Sequence, residues 1–228
     1  MLKPNMKIIG KIIVVGVVVF AVALLAPQIV QAQGTMTYVS SLSQTSTGSP
    51  SVGSDSWLAA GFYTGTDPSG YTLSSIQLAM TDASGNPNGF TVMLYTAISG
   101  AGPLPGSSLG TLDGSLNPVT GGIFTYTPGS SLTLSPNASY FIVLTAGTIV
   151  ANGAYSWSEN TFPASSSGGW FAENGVLQSS NGTSHWSAIP GIGQFAINAT
   201  AIPEPGVLGL FGLGSLAFLW HRRKAKAV

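Results

Sequence analysis

The sequence predicts an all-β domain, an antiparallel two-sheet sandwich (jelly-roll-like), flanked by an N-terminal signal helix and a short C-terminal transmembrane helix. Three observations carry that reading. From Trp57 onward, short apolar stretches are separated by clusters of Gly, Pro, Asn, Asp and Ser, the punctuation of strands and turns. Within the stretches apolar and polar residues alternate, and helical periodicity is absent. At each end of the chain, by contrast, one long apolar run abuts a basic cluster.

Residues 1–32 read as a Sec-type signal peptide. Lys3, Lys7 and Lys11 form its positive region, 12–26 is an uncharged apolar run, and Pro27 ends that run. Val30-Gln31-Ala32 supplies small-residue spacing for cleavage between Ala32 and Gln33. The competing reading is an uncleaved anchor, because the run is long for this role; either way the chain beyond it is translocated. Residues 33–56, rich in Ser, Thr and Gly, read as a flexible lead-in with at most an edge strand around 36–42.

The β-sandwich domain is expected over 57–201. Its strands are predicted at 57–63, 72–81, 89–97, 108–113, 122–127 and 131–134, then at 139–146, 154–158, 170–173, 185–187 and 194–200. Ile76, Leu78 and Met80 share one face, as do Phe90, Val92 and Leu94, and Phe195, Ile197 and Ala199. Residues 140–144 are apolar on both faces, the mark of a central strand. The expected core is Ile76, Leu78, Phe90, Val92, Leu94, Phe141, Val143, Phe195 and Ile197. Asp82-Ala83-Ser84-Gly85-Asn86-Pro87-Asn88-Gly89 supplies turn residues that tolerate positive φ.

Charge is segregated sharply. The 7 basic residues are Lys3, Lys7, Lys11, Arg222, Arg223, Lys224 and Lys226, all terminal. Between residues 33 and 202 stand Asp55, Asp67, Asp82, Asp113, Glu159 and Glu173 with no Lys or Arg, a formal charge of −6. Nucleic acid is therefore an unsuitable partner, because its affinity comes from phosphate neutralisation. Phosphoryl transfer and Schiff-base chemistry lose their cationic residues too. The chain has 0 Cys, so thiol catalysis, thiolate metal sites and disulfides are excluded.

Residues 202–228 mirror the N-terminus. The apolar segment 207–220 is followed at once by His221-Arg222-Arg223-Lys224. As a helix it spans roughly 20 Å, short of a ~30 Å hydrocarbon core. The basic cluster would hold the C-terminus in the cytoplasm. Pro203-Glu204-Pro205-Gly206, then the Gly/Leu-rich run, then Arg222-Arg223-Lys224, resembles a PEP-CTERM sorting signal. The resemblance implies a Gram-negative host, processing by an exosortase, and association with the cell surface or an exopolysaccharide matrix. His221 and the trailing Ala225-Lys226-Ala227-Val228 depart mildly from that pattern.

A second resemblance covers Trp57 to Thr200, which looks like the choice-of-anchor R domain. It rests on Trp57-Leu58-Ala59-Ala60-Gly61-Phe62, Tyr71-Thr72-Leu73-Ser74-Ser75-Ile76-Gln77-Leu78 and Phe90-Thr91-Val92-Met93-Leu94-Tyr95. Pro103-Leu104-Pro105-Gly106-Ser107-Ser108-Leu109 and 132–144 add to it. The resemblance implies no catalytic activity.

Chemistry-bearing residues are few. Glu159 and Glu173 suit a glycosidase pair if they face each other about 5–10 Å apart; solvated loop carboxylates are the simpler reading. Asp55, Asp67 and Asp82 offer oxygen ligands for Ca²⁺, but no run has calcium-loop density, and turn formation explains them. His185 is the domain's one histidine. No Gly-x-Ser-x-Gly elbow accompanies it, and a zinc site needs more ligands. Trp57, Trp157, Trp170 and Trp186 are the candidates for glycan binding, since exposed indoles stack on sugar rings; core packing is the alternative. The expectation is an exported non-catalytic surface or matrix protein without cofactor or metal, then a carbohydrate-binding module, with a glycoside hydrolase third.

Overall fold

Each long apolar run between Trp57 and Ala201 becomes a strand in the computed structural model, which describes residues 34–98, 102–183 and 185–204. The signal peptide 1–32 and the transmembrane segment 207–220 lie outside the described residues. In chain order come β1 (Met36–Ser40), β2 (Ser51–Val52), β3 (Trp57–Tyr63), β4 (Tyr71–Gly85) and β5 (Thr91–Ile98). Next are β6 (Leu104–Asp113), β7 (Gly122–Pro128), β8 (Thr133–Leu134), β9 (Ser139–Thr145) and β10 (Gly153–Trp157). The remainder are β11 (Glu159–Asn160), β12 (Ser165–Ser166), β13 (Phe171–Ser179), β14 (Ser187–Ile189), β15 (Ile192–Gly193) and β16 (Phe195–Ala201). One 3-10 turn, Val150–Asn152, precedes β10, and no α-helix occurs among the described residues.

The main sheet is antiparallel and runs β12-β1-β16-β4-β7-β6-β5-β9-β3-β13-β14, with β8 and β10 also on β4 and β2 on β10. Its middle joint is thin: β6 meets β7 at Leu112↔Pro128 and Asp113↔Thr127. The sheet curls, and both halves of the strand order supply one core. Ile76, Leu78, Phe195 and Ile197 come from one half, and Leu58, Phe62, Val92, Leu94, Ile142 and Leu144 from the other. Trp170 sits among aromatic rings, with centroids 4.7 Å from Tyr38, 4.8 Å from Tyr71 and 6.0 Å from Phe62. Such rings bury large apolar areas and add directional contacts.

The expected core residues are all buried, but they form two clusters. On β9, Tyr140, Ile142 and Leu144 join the main core. Phe141 and Val143 point the other way and pack with Ala59 on the outer side of the same strands. A strand apolar on both faces has two interiors to serve.

Several boundaries differ from the sequence reading. The strand allowed for around 36–42 forms as β1, but not at an edge: it pairs with β16 through Met36↔Ala199 and Val39↔Ile197, and with β12 on its other side, while β2 adds a second short strand to the expected lead-in. Two apolar residues explain this. Val39 is wholly buried, Tyr38 stacks on Trp170, and backbone pairing needs nothing further from the polar neighbours. β4 continues to Gly85 through residues read as a turn, because β10 pairs along it to Gly153↔Gly85. β13 extends to Ser179, β14 starts at Ser187 rather than 185, and β6 begins at Leu104.

Candidate functional site

The outer side of β13, β3, β9 and β5 is apolar where a solvent face would be polar. Ala59, Phe141 and Val143 are buried there, with Trp57, Met93, Tyr95, Leu177 and Trp186 partly covering them. Beside this patch the β13–β3 ladder breaks. Ala172 pairs with Phe62 and Val176 with Ala60, so Glu173, Asn174 and Gly175 all oppose the single Gly61. Gly175 takes φ 95°, a conformation that suits glycine. Bulges of this kind re-aim side chains. Here the bulge lays the Glu173 carboxylate directly over Gly61, where a Cβ would collide with it.

Glu173 is half-buried in this position. Loss of hydration pushes its carboxyl above the ordinary glutamate range, and a hydrogen bond with the Ser139 side chain partly opposes the rise. Phe171 and Tyr63, cross-strand partners, stack beside it with centroids 4.8 Å apart and planes 15° from parallel. Phe171 remains 47% exposed. A groove of about 380 Å³ passes Gly61, Glu173 and Phe141. A second, of about 540 Å³, passes Tyr63, Thr96, Asn137 and Ser139, and the two share Pro103.

The four tryptophans divide between inside and outside. Trp157 and Trp170 are 0% and 2% exposed, so their rings are closed to a ligand, a correction to the sequence reading. Trp157 Nε1 donates to Gln194 O at 3.1 Å, while Trp170 Nε1 is buried with no hydrogen-bond partner among the described residues. Trp57 and Trp186 stand on the outer patch. Trp57 Nε1 donates to Ser54 O at 3.1 Å, and Gly182 lies against its ring.

The acidic candidates are dispersed. Glu159 sits between Gly48 and Gly191, whereas Glu173 covers Gly61, and the two share none of these contacts. Glu159 Oε2 is buried with no hydrogen-bond partner among the described residues, and desolvation raises its pKa. Asp55 Oδ1 accepts from Val150 N at 2.8 Å, Asp67 Oδ1 from Ser69 N at 3.0 Å, and Asp82 Oδ1 from Gly121 N at 2.7 Å. These are turn and loop contacts of the kind Asp favours. No group of three His, Cys, Asp or Glu among the described residues is placed to hold a metal. His185 is exposed with φ 58°.

Sequence reasoning missed Phe171, Tyr63, Gly61 and Ser139. The available signal was the glycine inside the otherwise apolar β3 run, which marks a close approach.

At the C-terminal end, β16 closes at Ala201 and Ile202 N donates to Gly70 O at 3.0 Å. Pro203 and Glu204 come next, both exposed. The sorting tripeptide therefore begins one residue after the last backbone hydrogen bond among the described residues. Residues 201–224 match the PEP-CTERM protein-sorting motif. The motif indicates an exported protein whose tail is recognised by an exosortase. Pro205, Arg222, Arg223 and Lys224 of the motif, like the Ala32–Gln33 junction, lie outside the described residues. No curated protein and no solved structure matches the chain.

The start of the domain adjoins this exit. Met36 is the register partner of Ala199, and the Thr35 hydroxyl lies 3.2 Å from that of Thr200. The first and last strands of the domain are thus neighbours, and its two ends leave side by side. The PEP-CTERM tripeptide emerges from a hydrogen-bonded sheet rather than from a long linker.

Proposed function

We propose that this chain is an exported, non-catalytic protein of the cell surface or exopolysaccharide matrix of a Gram-negative bacterium. In this reading a signal peptidase cuts between Ala32 and Gln33, and the segment 207–220 holds the precursor in the membrane until an exosortase removes the tail. The curled sheet is read as a jelly-roll-like sandwich similar to choice-of-anchor R domains. The partners are the exosortase and exopolysaccharide, with no nucleic acid and no cofactor. The observation that carries the proposal is the PEP-CTERM motif over residues 201–224, which begins at the last residue of β16. Two prolines around Glu204 disfavour helix and keep the peptide extended for an enzyme.

The test compares C-terminal mass and membrane retention of wild type, Glu204→Ala and a deletion of 222–226 in a host with the exosortase. Both variants are expected to keep the tail while the β-domain still folds. Normal tail removal in both would refute the sorting role and leave a plain anchor. A second reading, a secreted carbohydrate-binding module, is favoured by the aromatic outer patch around Trp57 and Trp186.

A further inference from the structure

We propose that the groove over Gly61 binds a glycan without negative charge, Glu173 accepting hydrogen bonds from its hydroxyl or ammonium groups and Phe171 stacking on a pyranose ring. The inference gives a site and a ligand class to the carbohydrate-binding reading and rests on it.

The bulge is the first argument. Opposing Glu173, Asn174 and Gly175 to Gly61 forfeits ladder pairing, and the main core gains no side chain from those three residues. What the break achieves is a carboxylate placed over Gly61 in the groove. Charge is the second. Glu173 is half-desolvated with the Ser139 side chain as its hydrogen-bonding partner, and no Lys or Arg stands anywhere between residues 33 and 202 to pair with it. Hydroxyl or ammonium groups of a ligand would supply donors that no Lys or Arg of this span does. The same domain, at a formal −6, repels uronate, sulfate and phosphate groups.

Shape and surface supply the third argument. Phe171 packs one ring face against Tyr63 and is 47% exposed, leaving a flat apolar platform next to the carboxylate. A pyranose presents the matching pair, an apolar C–H face and a rim of hydroxyls. The two grooves meet at Pro103. Thr96, Ser135, Asn137 and Ser139 line the second groove with further donors and acceptors, as successive sugar units require.

The test uses the full-length chain in mild detergent, titrated calorimetrically with oligosaccharides of glucose, of glucosamine and of galacturonate. Glucose and glucosamine chains are expected to bind, glucosamine in a salt-sensitive manner, and galacturonate chains are not. Glu173→Ala and Phe171→Ala should each weaken binding about tenfold, a loss of one well-made contact. Thermal unfolding of each variant checks the fold. Saturating sugar should raise the wild-type Tm more than the variants'. Undiminished binding by both variants, or equal binding of galacturonate, overturns the groove assignment while leaving the carbohydrate-binding reading standing. Binding of none of the three sugars overturns both.

Discussion

The curled sheet has two outer faces of opposite chemistry. On β1, β16, β4 and β7 the outward side chains hydrogen-bond to one another. The Thr37 hydroxyl donates to Asn198 Oδ1 at 2.6 Å, Asn198 Nδ2 to Ser75 Oγ at 3.0 Å, and Gln77 Nε2 to Thr125 Oγ1 at 3.4 Å. On β13, β3, β9 and β5 the corresponding positions are Leu177, Ala59, Phe141, Val143, Met93 and Tyr95, with Trp57 and Trp186 at the margin. Both faces back onto one core. The chain thus builds a self-satisfied polar exterior where it has only to meet water. Its apolar second face is a local choice, with Ala59, Phe141 and Val143 buried beneath partly buried aromatic and aliphatic side chains.

The largest effect should separate inner from outer positions on the same strands. Ile142 and Leu144 face the main core and are 0% exposed. Truncating Ile142→Ala should cost about 2–5 kcal/mol through the cavity it leaves. Met93→Ala, on the outer patch and only partly buried, should cost about 1 kcal/mol, as single mutations outside a packed core commonly do. Urea midpoints at unchanged m values give the comparison. Equal losses would mean that the outer cluster is packed as tightly as the core, and the contrast between the faces would dissolve.

A smaller effect is expected on the polar face. Asn198 joins Thr37, Ser75 and Gln77, so Asn198→Ala removes several bonds at once. Their net worth is about 1 kcal/mol, because water replaces much of what is lost at a part-exposed site. Gln77→Ala, with its longer contacts of 3.4 and 3.5 Å, should cost less. Denaturant titration of both would sharpen the comparison, and a large loss at Gln77 would show the ladder to be structural rather than solvating.

How far the sequence foretold these faces depended on whether the signal was local. Alternation in Ile76-Gln77-Leu78 and Phe195-Ala196-Ile197 was enough to assign the inner face, since period two fixes sides once a strand is known. The sorting motif was equally legible, being a contiguous peptide that needs no tertiary context. Pairing partners were not. Nothing local in Met36–Ser40 announces that it lies between β12 and β16, because backbone hydrogen bonds are blind to side-chain polarity. Nor does an indole declare whether it is core or surface: Trp157 and Trp170 went inside, Trp57 and Trp186 outside. The bulge at Glu173 was hidden for the same reason, since a bulge exists only relative to a neighbouring strand.

The smallest effect concerns the carboxylate on the apolar face. Desolvation raises the pKa of Glu173 above its ordinary 4.5, less the opposing hydrogen bond with Ser139. Between 4.5 and that raised value the folded chain holds the proton more firmly than the unfolded one does. It therefore binds more protons there, and stability must fall as pH rises through this window, remaining lower above it. Glu159, desolvated between Gly48 and Gly191, contributes in the same direction. Glu173→Gln should flatten part of the slope and raise the neutral-pH Tm slightly, Glu159→Gln should do likewise, and the double variant should be flatter still. The shifts are modest because solvent screens partly exposed carboxylates. Tm measured from about pH 4 to 8 on wild type and the three variants decides it. An unchanged slope in Glu173→Gln would mean that this carboxylate is fully hydrated, and the apolar face would then hold no desolvated charge to offer a ligand.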